Sequence, residues 1–257
     1  NGSDNTKPHV LVVEDDADLK EFLCTGLSKH FNVECADNGK EALEKIETNT
    51  PDLILSDVMM PEMDGFELCT QLRNDLNYSH IPVIFLTAKT MQEDQIKGLK
   101  LGAVDYIYKP FNMVSLSLKI YNLLTLQKQK QERLRTEQIL EPEHIELSSL
   151  DEEFLKAAVQ SVQNNLDNTN FDVEAFSAEL KVSANQAYRK IKALTGQTAN
   201  EFIRTQRLKV ASGLLVQKKR SISEVIYMVG FTSPSYFSRC FKDFYGCTPK
   251  EYIEKNT

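Results

Sequence analysis

At 257 residues, 41% of them hydrophobic, the chain has the length of roughly two soluble domains and enough apolar side chains for each to bury a core. No stretch approaches the ~18 consecutive apolar residues of a membrane span, and the start lacks the order of a signal peptide, so the expected location is cytoplasmic with no membrane contact by this segment. The net charge of −7 divides into −9 for residues 1–125, −4 for 126–170 and +6 for 171–257, an acidic front joined to a basic end that calls for a polyanion partner.

Five cysteines (Cys24, Cys35, Cys69, Cys240, Cys247) are scattered without a C-x-x-C pair, so neither a disulfide framework nor a zinc site is expected, and the thiols read as reduced core residues. The opening Asn-Gly-Ser without methionine reads as a remnant, and the expectation is a segment of a larger parent.

From the N-terminus, apolar runs recur at 10–13, 33–35, 53–55, 83–86 and 104–108, separated by segments of helical spacing such as Leu19, Phe22, Leu23 and Leu27. Short strands apolar on both faces and alternating with helices predict a doubly wound α/β fold with a five-stranded parallel sheet. Sites in such sheets form at the carboxyl ends of the strands.

Those ends carry Glu14-Asp15-Asp16, Asp57, Thr87 and Lys109-Pro110. Crowded carboxylates repel, and a hard divalent cation such as Mg²⁺, an oxygen binder, resolves the conflict, with Lys109 supplying further positive charge. A metal, a lysine and a hydroxyl around one carboxylate suit phosphoryl transfer, with Asp57 as nucleophile. Singly, each residue has a plainer reading: Asp as a turn former, Thr as a β-former, Lys-Pro as a turn with either bond isomer. Their joint placement favours the chemical one.

Residues 8–125, through VLVVEDD, LILSDVMMPEMDG, IFLTA and DYIYKPF, resemble the receiver domain of bacterial two-component response regulators. The resemblance implies a flavodoxin-like fold and Asp57 as the residue phosphorylated by a histidine kinase. It further implies Glu14 and Asp15 as the acidic pair, Asp57 and the Met59 carbonyl as further Mg²⁺ ligands, Thr87 and Tyr106 as switch residues, and Lys109 as the phosphate-contacting lysine. Such a domain promotes its own phosphorylation and dephosphorylation without a separate substrate and is not an enzyme in that sense. The implied switch draws Thr87 to the phosphate and Tyr106 inward, and changes the surface around the receiver's fourth helix and fifth strand.

Residues 126–148 are charge-rich and read as a helical linker; a partial heptad at Leu116, Ile120, Leu123 and Leu134 is interrupted by Gln127 and Lys130, which disfavours a coiled coil. Ser149-x-x-Glu152 is expected to open a helix with Phe154, Ala158, Val162 and Leu166 on one face. Within 149–257, SANQAYRKIKALTGQTANEF (183–202) aligns without gaps on SPSYFSRCFKDFYGCTPKEY (233–252). Each copy starts at a Ser cap, stops at a Gly and restarts at Thr-x-x-Glu, and each follows a short amphipathic helix, so the region predicts an all-α domain with two helix-turn-helix units. Ala187 and Ile191 point inward in the first copy and Phe237 and Phe241 in the second. Asn185, Tyr188, Arg189 and Lys192, and then Ser235, Tyr236, Ser238 and Arg239, point outward as candidate contacts to double-stranded DNA.

This region resembles the AraC-type DNA-binding domain, most closely over ISEVIYMVGFTSPSYFSRCFKDFYGCTPKEY, while the first copy departs from it at Ala184 and Asn185. Receiver plus reader is similar to the cytosolic end of Bacteroides-type hybrid two-component sensors. The resemblance implies a phosphorylation-controlled transcription regulator whose kinase stands in the same or another polypeptide, with homodimerisation as one form of control. Alternatives are a phosphorelay intermediate whose tail binds protein, and a constitutive DNA binder with a vestigial receiver.

Overall fold

The computed structural model describes residues 7–88, 104–136 and 148–256. The chain forms two compact units, residues 1–129 and 130–257. In the first, strands β1 (His9–Val13), β2 (Asn32–Ala36), β3 (Leu53–Asp57), β4 (Val83–Ala88) and β5 (Asp105–Lys109) form one parallel sheet in the order β2-β1-β3-β4-β5. Helices α1 (Ala17–Leu27), α2 (Gly39–Thr48), α3 (Gly65–Asn74) and α4 (Met113–Thr136) follow the strands. The expected fourth receiver helix falls on residues 89–103, outside the described residues.

Strand alternation divides the core in two. Val10, Val12, Leu53, Leu55, Ile84 and Leu86 meet Leu23 and Leu27 of α1 and Leu116 and Ile120 of α4. Leu11, Val13, Ile54, Val83 and Phe85 meet Ala42 and Ile46 of α2 and Phe66, Leu68 and Leu72 of α3. At roughly 1.5–3 kcal/mol per fully buried large apolar side chain, this two-faced burial is the main force fixing the strand ends. Leu116 and Ile120 serve the sheet rather than a coiled-coil seam. Phe22, grouped with the apolar face of α1 by spacing, is 54% exposed.

Two sequence expectations are corrected. Cys24 on α1 and Cys35 on β2 are joined as a disulfide, with Cα atoms 6.9 Å apart, because α1 packs beside β2; a sequence separation of 11 hides this from the sequence. Cys69, Cys240 and Cys247 are buried thiols as expected. The helix opening the reader is capped by Ser148, whose side chain accepts from the Asp151 N–H, one residue before the predicted cap.

The second unit is helical: α5 (Ser149–Asn164), α6 (Val173–Glu179), α7 (Ala184–Thr195), α8 (Ala199–Val216), α9 (Ile222–Met228), α10 (Pro234–Tyr245) and α11 (Pro249–Lys255). The duplicated signals appear as twin geometry. Ser183 and Ser233 cap α7 and α10, Gly196 and Gly246 end them at φ +70° and +73°, and Thr198/Glu201 and Thr248/Glu251 close capping boxes on α8 and α11. Phe171 and Phe176 staple the start of α6 around its Asp172 cap, ring centroids 6.2 Å apart. The halves share α8, whose Phe202 lies 6.0 Å from Phe176 while Leu208, Ala211 and Leu215 pack with Val225, Phe237 and Phe241.

Candidate functional site

The parallel register brings the ends of β1, β3 and β5 to one edge. Glu14 follows Val13 directly, with its backbone N–H tied to the Ala36 carbonyl at 3.0 Å. Asp57 ends β3 and Lys109 ends β5. The Lys109 Nζ donates to Asp57 Oδ2 at 2.6 Å and to Glu14 Oε2 at 2.9 Å, so one ammonium bridges two acids, and Asp57 Oδ1 accepts from the Val58 N–H at 2.6 Å. Ligand oxygens of Glu14, Asp15 and Asp57 lie within 4.8 Å of one another. Three carboxylates at that spacing form an all-oxygen donor set of the hard-cation type. Asp16, the third acid of the run, instead caps α1 through the Leu19 N–H.

The glycine of MDG is a steric requirement. A Cβ on Gly65 would stand 2.2 Å from the Asp57 carbonyl oxygen, so only glycine lets the first turn of α3 close against the backbone of Asp57.

Glu14 is 1% exposed, and burial pushes its carboxyl up from 4.5 to about 7; the bond from Lys109 pulls down, and repulsion from Asp57 adds to the rise. Burial works against the Lys109 ammonium, but its bonds to Asp57 and Glu14 outweigh it and hold its pKa above the usual lysine value. Because the folded Glu14 keeps its proton to a higher pH than the unfolded one, the stability associated with its neutral form is complete below about pH 4.5 and is lost as pH rises through about 7. Glu14→Gln, neutral throughout, is therefore expected to be more stable than the native chain at pH 8 without divalent cation, by about 1–3 kcal/mol, with the gap closing at pH 5. Urea melts of both proteins at the two pH values check this; an equal gap at both would show that the carboxyl titrates normally.

Thr87 is 3% exposed at the end of β4, its hydroxyl 3.3 Å from the Ala88 carbonyl. Tyr106 is 7% exposed, its ring 5.6 Å from that of Phe85, so it already lies inward. The Lys109-Pro110 bond is cis. Met59, two residues after Asp57, is 64% exposed.

In the second unit, Asn185, Tyr188, Arg189, Lys192, Ser235, Tyr236 and Arg239 are exposed and Ser238 is half-buried, while Ala187, Ile191, Phe237 and Phe241 are fully buried. The predicted outward faces of α7 and α10 are the observed ones. Among the described residues, no helix is long and apolar enough to cross a membrane.

Residues 10–121 match the family profile of the response regulator receiver domain, and residues 176–255 match that of a helix-turn-helix domain, here of the AraC type. The chain thus carries a response regulator receiver domain followed by a helix-turn-helix domain. It is 43% identical over 250 residues to histidine kinase P4 of Formosa agariphila, an alignment covering 97% of this chain and 18% of that protein. It is 40% identical over 122 residues to response regulator ArlR of Staphylococcus saprophyticus, covering 47% of this chain and 54% of ArlR. The signal receiver domain of a signal transduction histidine kinase from Syntrophus aciditrophicus, a crystal structure, is 38% identical and covers 47% of this chain and 92% of its own, with a TM-score of 0.45. The chain thus spans 18% and 54% of the lengths of these two curated relatives.

Sequence reasoning missed three cations in the second unit. Lys190, 1% exposed, pairs with Asp151 of α5. Arg207, 8% exposed, donates to the carbonyls of Asn168 at 2.6 Å, Gly230 at 3.3 Å and Asn165 at 3.4 Å, joining the segment after α5 to the turn after α9. Gly230, at φ +72°, fits there because a Cβ would stand 2.3 Å from the Leu166 carbonyl oxygen. Arg204 of α8 donates from Nη1 to the Tyr236 hydroxyl at 3.3 Å. A signal existed for the first two: each charge sits at helical spacing within an apolar stripe, Lys190 beside Ala187, Ile191 and Leu194, and Arg207 beside Ile203, Leu208 and Ala211.

Proposed function

We propose that this regulator accepts a phosphoryl group on Asp57 from a histidine kinase domain and uses it to control binding of its paired helix-turn-helix units to double-stranded DNA, and so transcription. Residues 8–125 act as the receiver, 126–148, of which 137–147 lie outside the described residues, as the linker, and 149–257 as the reader. The observation that carries the proposal is the Lys109 ammonium bridging Asp57 and Glu14 at the sheet edge. In the transfer an Asp57 carboxylate oxygen forms the new P–O bond as the donor's P–N bond breaks, and the imidazole leaves with the electron pair and takes up a proton. Lys109 meets the charge on the phosphoryl oxygens, since such chemistry depends on positioning and neutralisation. Glu14, Asp15, Asp57 and the Met59 carbonyl are the residues that would hold Mg²⁺, which supplies further neutralisation of those oxygens.

After transfer, the Thr87 hydroxyl, whose contact among the described residues is the 3.3 Å one to its neighbour's carbonyl, turns toward the phosphoryl group. Tyr106 lies inward against Phe85, and phosphorylation then favours that arrangement over an outward one. Control through a homodimer is part of the proposal.

The test is selection from a random duplex pool by the intact chain, with and without Mg²⁺ and acetyl phosphate. One sequence class should be enriched, more strongly in the phosphorylated sample. A pool left random in both arms would remove the DNA reading, and equal enrichment would remove the switch.

The acyl phosphate is expected to be long-lived. Hydrolysis needs a water oriented for in-line attack, and Met59, exposed beside Asp57, carries only a thioether, too weak an acceptor to hold one. Lys89, two residues after Thr87 and a cation unable to accept that water's proton, lies outside the described residues. Met59→Asn should lose phosphate about tenfold faster, as expected for restoring one positioned polar contact at ~1.4 kcal/mol per decade of rate. Time courses by intact mass read both rates, and identical decay would remove this role for position 59.

A further inference from the structure

Tyr236 stands in the first turn of the second recognition helix, α10, three residues before Arg239. Both are exposed, and on outward direction alone both count as DNA contacts. Their mutual geometry separates them. The Arg239 guanidinium carbon lies over the Tyr236 ring, 5.4 Å from its centroid, within the ~6 Å range of a cation–π contact. The ring is itself held from two other sides. Phe231, in the turn before α10, packs at 5.9 Å with its plane tilted by 42°, and Arg204 of α8 donates to the hydroxyl at 3.3 Å.

The hydroxyl is therefore engaged within the protein, and the ring face is covered by Arg239. A guanidinium held over a ring face by its charge keeps N–H donors available for the paired acceptors of a guanine, O6 and N7, in the major groove. An arginine free in solution must give up most of its rotamer freedom on reaching a base; one already laid along an aromatic ring has given up part of it before DNA arrives. The first copy is built differently. The position aligned with Tyr236 is Gln186, whose side chain accepts from the Ser183 N–H at 3.1 Å and closes the capping box of α7.

We propose that Tyr236 is a positioning residue: pinned by Phe231 and Arg204, it aligns Arg239 for base readout and sets the specificity of the α10 half-site without contacting a base itself. This rests on the reading of α10 as a DNA-recognition helix. Position 236 is on the surface and its side chain lies outside the Phe237–Phe241 core, so its variants are expected to fold.

The experiment measures dissociation constants of the intact chain for a duplex enriched by the wild type, and for duplexes substituted in turn at each base pair of that site. The proteins are wild type, Arg239→Ala, Tyr236→Ala, Tyr236→Phe and the double alanine variant. Arg239→Ala should weaken binding at least about tenfold and erase discrimination at one base pair. Tyr236→Ala should blunt discrimination at that same base pair, and the double variant should be no weaker than Arg239→Ala, because the two side chains act as one unit. Tyr236→Phe, which keeps the ring, should preserve the preferred base and bind within about threefold of wild type. A Tyr236→Ala loss that adds in full to that of Arg239→Ala, or a blunted preference at a different base pair, would overturn the proposal and leave Arg239 as a reader. An Arg239→Ala protein indistinguishable from wild type would overturn the underlying reading of α10, and the proposal with it.

Discussion

Incubated with Mg²⁺ and acetyl phosphate, the native chain is expected to gain one phosphoryl group by intact mass, and the Asp57→Asn chain none. Two of the three other acids at the sheet edge are spoken for. Glu14 is buried, with its carboxyl raised to about 7 and bonded to Lys109, and Asp16 is occupied as the α1 cap. Asp15 is exposed and shares the cluster, which makes it the competitor to watch. Asp57 differs from it in having one oxygen bonded to the Val58 N–H and the other to Lys109, so the charge of an incoming phosphoryl group is met at once. Lys109→Ala should retain the site but gain phosphate about ten- to a hundredfold more slowly, the range of losing one charge-stabilising group worth ~1.4–2.8 kcal/mol. Undiminished labelling of Asp57→Asn would move the acceptor to another residue and undo the site assignment.

How much of this was legible follows from the kind of signal involved. The five strands, their parallel order and the edge collecting Glu14, Asp57 and Lys109 could be read because each strand carries its own apolar run and its reactive residue directly at the end. The twin readers could be read because caps and glycine stops are local: Ser183, Gly196 and Thr198 specify their turns within a few residues. Contacts made by chain segments far apart left no such mark. Asp151 caps nothing in the pattern, yet it is the buried partner of Lys190; Arg207 serves three carbonyls from two distant turns; and Cys24 meets Cys35 only once α1 lies beside β2. Even there the spacing carried a hint, since a lysine or arginine inside an apolar stripe must find a partner or pull the helix into solvent.

Footprinting of the intact chain on an enriched duplex is expected to show two protected major-groove segments about one helical turn apart for each bound protomer. The recognition helices α7 and α10 are joined by α8, whose 18 residues at ~1.5 Å each span ~27 Å, near the ~34 Å that returns a groove to the same face. The halves are also fastened to one another. Arg207 ties the segment after α5 to the Gly230 turn, and Phe202 and Leu208 of the same α8 enter the core of either half, so the separation is built into packed structure. Because the two copies run head to tail along the chain, the two half-sites of one protomer should lack palindromic symmetry, unlike those of a two-fold dimer. The exposed arginine of the second copy gives the sharper test. Arg239→Ala should cost about 1.4–2.8 kcal/mol, or roughly ten- to a hundredfold in affinity, and relax one position in one half-site only. Lys192→Ala, if that ammonium faces phosphate, should weaken all duplexes alike and flatten the salt dependence by about one unit of slope. Protection confined to one groove segment at one protomer per duplex would make one of the two copies a scaffold, and an unchanged Arg239→Ala footprint and affinity would identify that scaffold as α10.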